Sequence, residues 1–282
     1  MSIIEVKNLS YTYNPGTPYE KKALNGINLS VQKGDFFGIV GANGSGKTTL
    51  VQQFNGLLTP GEGQVLVGGK DTMDEQYART LWKKVGMVFQ YPEQQLFEST
   101  VFEDVSYGPR NLGLDKQEIE KRVIEALRLV GLEPDEVAAQ PPICLSGGLR
   151  RRVAIAGVLA IRPEILVLDE PAAGLDPAGR DMILQLLQRL QQEYGVTVIM
   201  ISHSIRDIIN LTGRMAVLDG GSLVAAGTPK EILSRKDFRE LPDILLPDYL
   251  QLMYDLAARG QKVNTGVVTL AEAEREIRRL LE

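Results

Sequence analysis

The segment Gly41-Ala42-Asn43-Gly44-Ser45-Gly46-Lys47-Thr48 follows the apolar run Phe36-Phe37-Gly38-Ile39-Val40 without a break. A strand that ends in a glycine-rich turn and continues as a helix opening on a lysine and a hydroxyl is the context of a phosphate-binding loop. Glycines let successive backbone N–H groups converge on phosphate oxygens with no Cβ in the way. The helix N-terminus adds its partial positive charge. In such a loop Lys47 is placed to reach the β- and γ-phosphates, and Thr48 to set its hydroxyl on Mg²⁺. A strand–loop–helix unit of this kind also commits the chain to an α/β fold with helices packed on a largely parallel sheet.

The remaining pattern agrees with that commitment. Short apolar or alternating runs at 3–6, 27–31, 36–40 and 64–67, separated by Gly, Pro and Asn turns, read as strands. Residues 47–58 read as a helix and 85–89 as a buried strand ended by Gln90. From Pro92 to about Pro142 the character is helical: Asp115 with Glu118 forms a capping box, and Ile119, Val123, Leu127 and Val130 share a face. A helix over 149–161 is stopped at Pro163 and followed by a strand at 165–168. Asp176 caps the next helix with Pro177 at its first position, and Met182, Ile183, Leu186, Leu187 and Leu190 form its buried stripe. Strands at 196–201 and 215–218 precede a second capping box, Thr228-Pro229-Lys230-Glu231, and a mainly helical tail to Glu282.

Composition narrows the function. The 282 residues, 44% hydrophobic and 24% charged, fit one large domain with a smaller appendage. No apolar run is long enough to span a bilayer, and a start of Met1-Ser2-Ile3-Ile4-Glu5 predicts no signal peptide. The single cysteine, Cys144, excludes an intrachain disulfide, fits a reducing compartment and reads as a small buried hydrophobe. A net charge of −5 argues against nucleic acid as a partner.

Asp169 and Glu170 end the apolar run Ile165-Leu166-Val167-Leu168, where ligand crevices form in open parallel sheets. Asp169 is placed for the magnesium shell, and Glu170 to orient and polarise an attacking water as general base. His203, the only histidine, directly follows the strand at 196–201.

Six elements occur in the order seen in ATP-binding cassette (ABC) ATPases, which this sequence resembles over nearly its whole length: the phosphate loop 41–48, Gln90, Leu145-Ser146-Gly147-Gly148, Asp169-Glu170, Gly174-Leu175-Asp176 and His203. The resemblance implies an ATPase core of parallel sheet plus antiparallel β subdomain over 1–227, a helical subdomain at about 92–162, and a helical extension over 228–282 that joins two ATPase subunits. ATP and Mg²⁺ are the implied ligands, held by Tyr13, with Tyr11 its competitor, against adenine and by Gly41, Ala42, Asn43, Gly44, Ser45, Gly46, Lys47, Thr48 and Thr49 at the phosphates. Thr48, Gln90 and Asp169 are the implied metal residues; Glu170, His203, Lys47 and Gln90 are the implied catalytic ones. Ser146, Gly147, Gly148 and Asp176 would serve the nucleotide of a second cassette, so the resemblance implies a partner ATPase.

Within that family the segments 88–97 and 153–160, and the tail from 241 to 282, resemble importers of the energy-coupling factor (ECF) type, which take up vitamins and transition metals. Residues 170–177 with Arg151-Arg152 look more like the second of their two ATPases. That likeness implies a related, non-identical cassette partner (or a second copy of this chain), an integral membrane coupling subunit, a separate substrate-binding membrane subunit, and a place on the cytoplasmic membrane face. Tyr91, Leu96, Phe97, Val101 and Phe102 are candidates for the groove that receives the membrane subunit, or for the core of the insertion. The alternative is a soluble cassette that clamps DNA or ribosomes; one cassette, no sustained heptads and an acidic balance disfavour it. One departure stands out: Leu149 occupies the position where the family has Gln after its signature, which predicts a slower site on that side.

Overall fold

In the computed structural model, which describes residues 1–235, 238, 241 and 246–281, two sheets and eleven α-helices are arranged around two cores. The chain opens with an antiparallel sheet of order β2-β1-β4-β5, built from β1 (Ser2–Tyr13), β2 (Lys21–Gln32), β4 (Glu62–Val67) and β5 (Lys70–Asp71). The second sheet has six strands in the order β10-β9-β3-β8-β7-β6. Its members are β3 (Phe36–Gly41), β6 (Val85–Val88), β7 (Ile165–Asp169), β8 (Thr197–Ile201), β9 (Arg214–Asp219) and β10 (Ser222–Gly227). All its pairings are parallel except β9–β10.

The two-residue period of the parallel strands sorts the cores. Phe36 and Val40, Leu166 and Leu168, Val198 and Met200, and Met215 and Val217 face one cluster. Phe37 and Ile39, Ile165 and Val167, Ile199 and Ile201, and Ala216 and Leu218 face the other. Strands apolar on both faces are what a parallel sheet covered on both sides requires. The second cluster is closed by the antiparallel sheet and by α1 (Lys47–Phe54). The first is closed by α3 (Val101–Asn111), α4 (Lys116–Leu129), α6 (Gly147–Leu159), α7 (Pro177–Tyr194) and α8 (Ile205–Leu211). Two short helices, α2 (Glu75–Ala78) and α5 (Pro134–Val137), complete the connections.

Beyond β10 the chain turns away through α9 (Pro229–Ser234), opened by the full capping box of Thr228 and Glu231. It ends in α10 (Asp248–Ala258) and α11 (Leu270–Leu281). Residues 236, 237, 239, 240, 242–245 and 282 of the expected helical tail lie outside the described residues.

Several local expectations change. Helix α1 ends at Phe54 rather than residue 58, because Gly56 takes φ +77° and turns the chain. Between Pro92 and Val101 a single 3₁₀ turn at Pro92–Gln95 replaces continuous helix. Helix α6 starts at Gly147, with Ser146 as its N-cap, and is over by Leu159. The Asp115 capping box is half formed: Asp115 accepts from the Glu118 N–H, but the Glu118 carboxylate turns to Arg122 and Arg162. Met182 lies outside the buried stripe of α7 and accepts from Arg152, while Leu184 is buried in its place. Cys144 is exposed, since it falls in the turn before Ser146 rather than in a strand. Among the described residues no helix is long and apolar enough to cross a membrane.

Candidate active site

Because β3, β6, β7 and β8 run parallel, their carboxyl ends lie along one edge of the sheet. Register fixes which residues meet there: Ile201 pairs with both Ile39 and Asp169, so the turns after β3, β7 and β8 leave the sheet together. The result is a cleft of about 410 Å³. It is lined by Asn43, Gly44, Gly46, Lys47, Thr48 and Thr49 from the glycine loop and α1, by Gln90, Asp169, Glu170 and His203 from the strand ends, and by Tyr13 from β1.

The glycine loop is held by close backbone approach. A Cβ at Gly41 would lie 2.1 Å from the Leu218 carbonyl oxygen, and one at Gly46, where φ is +99°, would lie 2.6 Å from the Ala23 carbonyl. Gly46 is the N-cap of α1 and supplies no side-chain cap, so the first-turn amides of that helix face the cleft with no intrahelical acceptor. Lys47 Nζ folds back over the loop and donates to the carbonyls of Gly41 and Ala42, 2.8 Å each. Burial holds this ammonium below its usual pKa, against the opposing pull of Glu170 and Asp169. Ser45 Oγ is buried without a hydrogen-bond partner among the described residues.

Thr48 Oγ1 donates to Asp169 Oδ2 at 2.7 Å, joining the start of α1 to the end of β7. These are hard oxygen donors of the kind that bind Mg²⁺, which takes one or two carboxylates with substrate phosphates rather than a protein-only cage. Among the described residues there is no cluster of three or more His, Cys, Asp or Glu side chains that could form such a cage. The donor set therefore fits a magnesium ion shared with a nucleotide.

Glu170 is the unusual residue. Its φ of +52° is left-handed, which for a side chain other than Gly, Asn or Asp costs about 1–2 kcal/mol. That backbone turns its carboxylate back into the cleft, where it is 12% exposed. Burial raises its pKa to about 7, with the Asp169 charge adding to the rise and the His203 backbone N–H opposing it. Oε1 lacks a hydrogen-bond partner among the described residues, and His203 Nε2 stands 3.4 Å from it. Burial, with Lys47 beside it, holds the His203 pKa below the ordinary value, which favours the neutral imidazole. A buried carboxylate poised near neutrality, with a free oxygen and an imidazole at its side, is equipped to take a proton from water.

Of the two tyrosines, Tyr13 lines the cleft, its hydroxyl 3.1 Å from Thr49 Oγ1. Tyr11 instead stacks edge-on against Tyr13, ring centroids 4.9 Å apart, and packs on the core. Ser146, Gly147, Gly148 and Asp176 are not among the cleft-lining residues. Ser146 caps α6 through the Leu149 N–H at 3.4 Å, and Asp176 caps α7 through the Gly179 N–H at 3.2 Å. Each leaves the N-terminus of its helix at the surface.

The family profile described as ABC transporter matches residues 24–173. The chain belongs to the ABC transporter ATPase family. The ATP-binding protein EcfA2 of an energy-coupling factor transporter from Clostridium acetobutylicum is 43% identical, over 99% of this chain and 98% of the relative. The EcfA2 protein of Symbiobacterium thermophilum is 46% identical, over 97% of this chain and 94% of the relative. Among solved structures, CbiO1 from Clostridium perfringens, part of the ABC transporter complex CbiONQ, superposes with a TM-score of 0.75 at 38% identity, covering 92% and 95% of the two chains. A dimeric cassette, MJ0796, bound to ADP and phosphate, superposes with 0.72 at 32% identity, covering 80% and 98%. This ABC ATPase is thus an ATP-binding and ATP-hydrolysing cassette whose relatives are energy-coupling factor subunits.

Four cleft residues of this ATPase carry no sequence signal. Asn14, Tyr19, Lys21 and Ala23 reach the cleft from the β1–β2 hairpin. The nearest hint is the string of turn formers Asn14-Pro15-Gly16, which marks a hairpin but not what it faces.

Proposed function

We propose that this cassette powers an ECF-type importer of a vitamin or transition metal ion, and that its nucleotide is completed by a second cassette. The observation that carries this reading is the separation within one chain: Lys47, Thr48, Asp169 and Glu170 share a cleft that Ser146, Gly147, Gly148 and Asp176 do not line. In this reading Tyr13 stacks on adenine and the loop 41–48 with Thr49 binds the phosphates. Lys47 leaves the Gly41 and Ala42 carbonyls for the β- and γ-phosphates. A magnesium ion held by Thr48, Asp169 and Gln90 would neutralise phosphate charge. Glu170 takes the proton of the attacking water, and His203 donates toward the γ-phosphate.

The division into a cassette over 1–227, with its helical subdomain at about 92–162, and an extension over 228–282 gives each part a role. Tyr91, Phe97 and Tyr107 are exposed on the segments that follow Gln90 in the chain, with Phe97 and Tyr107 in edge-on contact at 5.1 Å, and they form the apolar surface offered to the membrane coupling subunit. Val101 is fully buried and belongs to the core, with Leu96 and Phe102 packed against it. The apolar groove of about 610 Å³ between α10 and α11, bordered by Leu252, Leu270 and Leu281, supports a joining role for the extension. The assembly places the chain on the cytoplasmic membrane face, with a separate membrane subunit choosing the cargo.

The experiment is Glu170→Gln in the full chain with ATP. A long-lived nucleotide-dependent pair of cassettes with lost turnover is expected. Turnover near the wild-type rate, or no change in sedimentation on adding ATP, refutes the reading.

A further inference from the structure

Arg151 is the most deeply buried arginine of the helical subdomain, its side chain 4% exposed, and none of the roles above uses it. It sits in the second turn of α6, the helix whose N-terminus is Ser146-Gly147-Gly148. Its guanidinium meets Glu93 in fork geometry, Nε to Oε2 and Nη2 to Oε1, 3.0 Å each. Nη1 donates to the carbonyls of Pro171, at 3.4 Å, and Ala173. The Tyr91 ring stands 5.9 Å from its Cζ. One side chain therefore binds three segments: the turn three residues after Gln90, the turn directly after Glu170, and the signature helix itself.

Packing alone does not call for this arrangement. A buried ion pair is matched or bettered in stability by apolar residues of similar volume. What an arginine supplies, and a methionine or lysine does not, is a planar fork that fixes a carboxylate and two carbonyls at once. The fork thus ties the turn after Gln90 and the turn after Glu170 to the helix that begins at Ser146.

We propose that Arg151 is a positioning residue that transmits the state of this chain's own site, through Gln90 and Glu170, to the Ser146–Gly148 surface offered to the partner's nucleotide. The inference rests on the reading of that surface as part of a composite site. When the turn after Glu170 or the Gln90 segment shifts with the γ-phosphate, the fork carries α6 with it. The two sites of the dimer then respond together to ATP.

The test uses the assembled transporter, purified through a tag on this chain. Arg151→Met with Glu93→Met removes both charges and keeps the volume filled. The pair is expected to melt within a few degrees of wild type and to bind a fluorescent ATP analogue with affinity changed less than about twofold, the phosphate loop being untouched. Its maximal turnover is expected to fall about tenfold and its ATP dependence to lose cooperativity. Arg151→Lys, which keeps the charge but not the fork, should show the same loss in milder form. Wild-type turnover and ATP dependence in either variant overturns the proposal. If Glu170→Gln fails to pair with ATP, the composite-site reading is what fails; if it pairs and the Arg151 variants behave as wild type, only this inference does.

Discussion

Replacing Glu170 by Gln should stabilise the nucleotide-free protein, and by an amount that depends on pH. The carboxyl pKa is 4.5 in its ordinary state and about 7 here, raised chiefly by burial. Each pKa unit corresponds to 1.36 kcal/mol, so the full cost of the charged form is about 3 kcal/mol. Water at the cleft mouth screens part of that, leaving about 1.5–3 kcal/mol. The sign follows from proton binding. Between pH 4.5 and 7 the folded state holds a proton that the unfolded chain has lost, so wild-type stability falls as pH rises through that window. Glutamine mimics the protonated form and escapes the cost. With an unfolding entropy of about 2.1 cal/mol/K per residue, the variant should melt roughly 3–5 °C higher than wild type at pH 8, with the gain shrinking to about 1 °C at pH 5. Scanning calorimetry of both proteins at the two pH values reads this directly. A gain that is absent, or equal at pH 5 and pH 8, refutes the claim that a buried, destabilised carboxylate sits at this position.

Three further outcomes follow, two from the cleft and one from the helix that begins at Ser146. Lys47→Ala removes a charge-assisted phosphate contact and should weaken ATP binding by at least about tenfold in an equilibrium titration; unchanged affinity contradicts the placement of its ammonium. Thr48→Val breaks the 2.7 Å bond to Asp169 and should raise the Mg²⁺ concentration for half-maximal turnover by about tenfold, read by titrating the metal at fixed ATP. Leu149→Gln restores a polar side chain one residue beyond Gly148 and should raise turnover of the assembled complex. No change in rate or nucleotide affinity means that Leu149, which packs partly against the core, has no part in the site.

The legible parts of this ATPase share one property: their physics is local. The glycine loop is readable because the strand, the turn and the helix that build it are contiguous, and the central strands because a two-sided core demands unbroken apolar runs. β10, β5 and α8 leave no readable signal in the sequence. The first two are sheet-edge strands whose pairing comes from a neighbour already in place, and α8 is a seven-residue helix too short to display a period. Met182 departs from the expected stripe because it lies at the margin of the buried face of α7, where a small rotation of the helix decides between core and solvent. Arg151 and Glu93 are 58 residues apart, and neither residue's neighbourhood announces the other. Glu170 shows the limit most sharply. Its position after an apolar strand suggests chemistry, yet nothing in the sequence reveals that its backbone is left-handed. Glycine there would relieve the strain, and protonation would relieve the burial. The chain keeps a glutamate against both, which makes sense only if the carboxylate oxygen that the strained turn aims into the cleft is what the position is for.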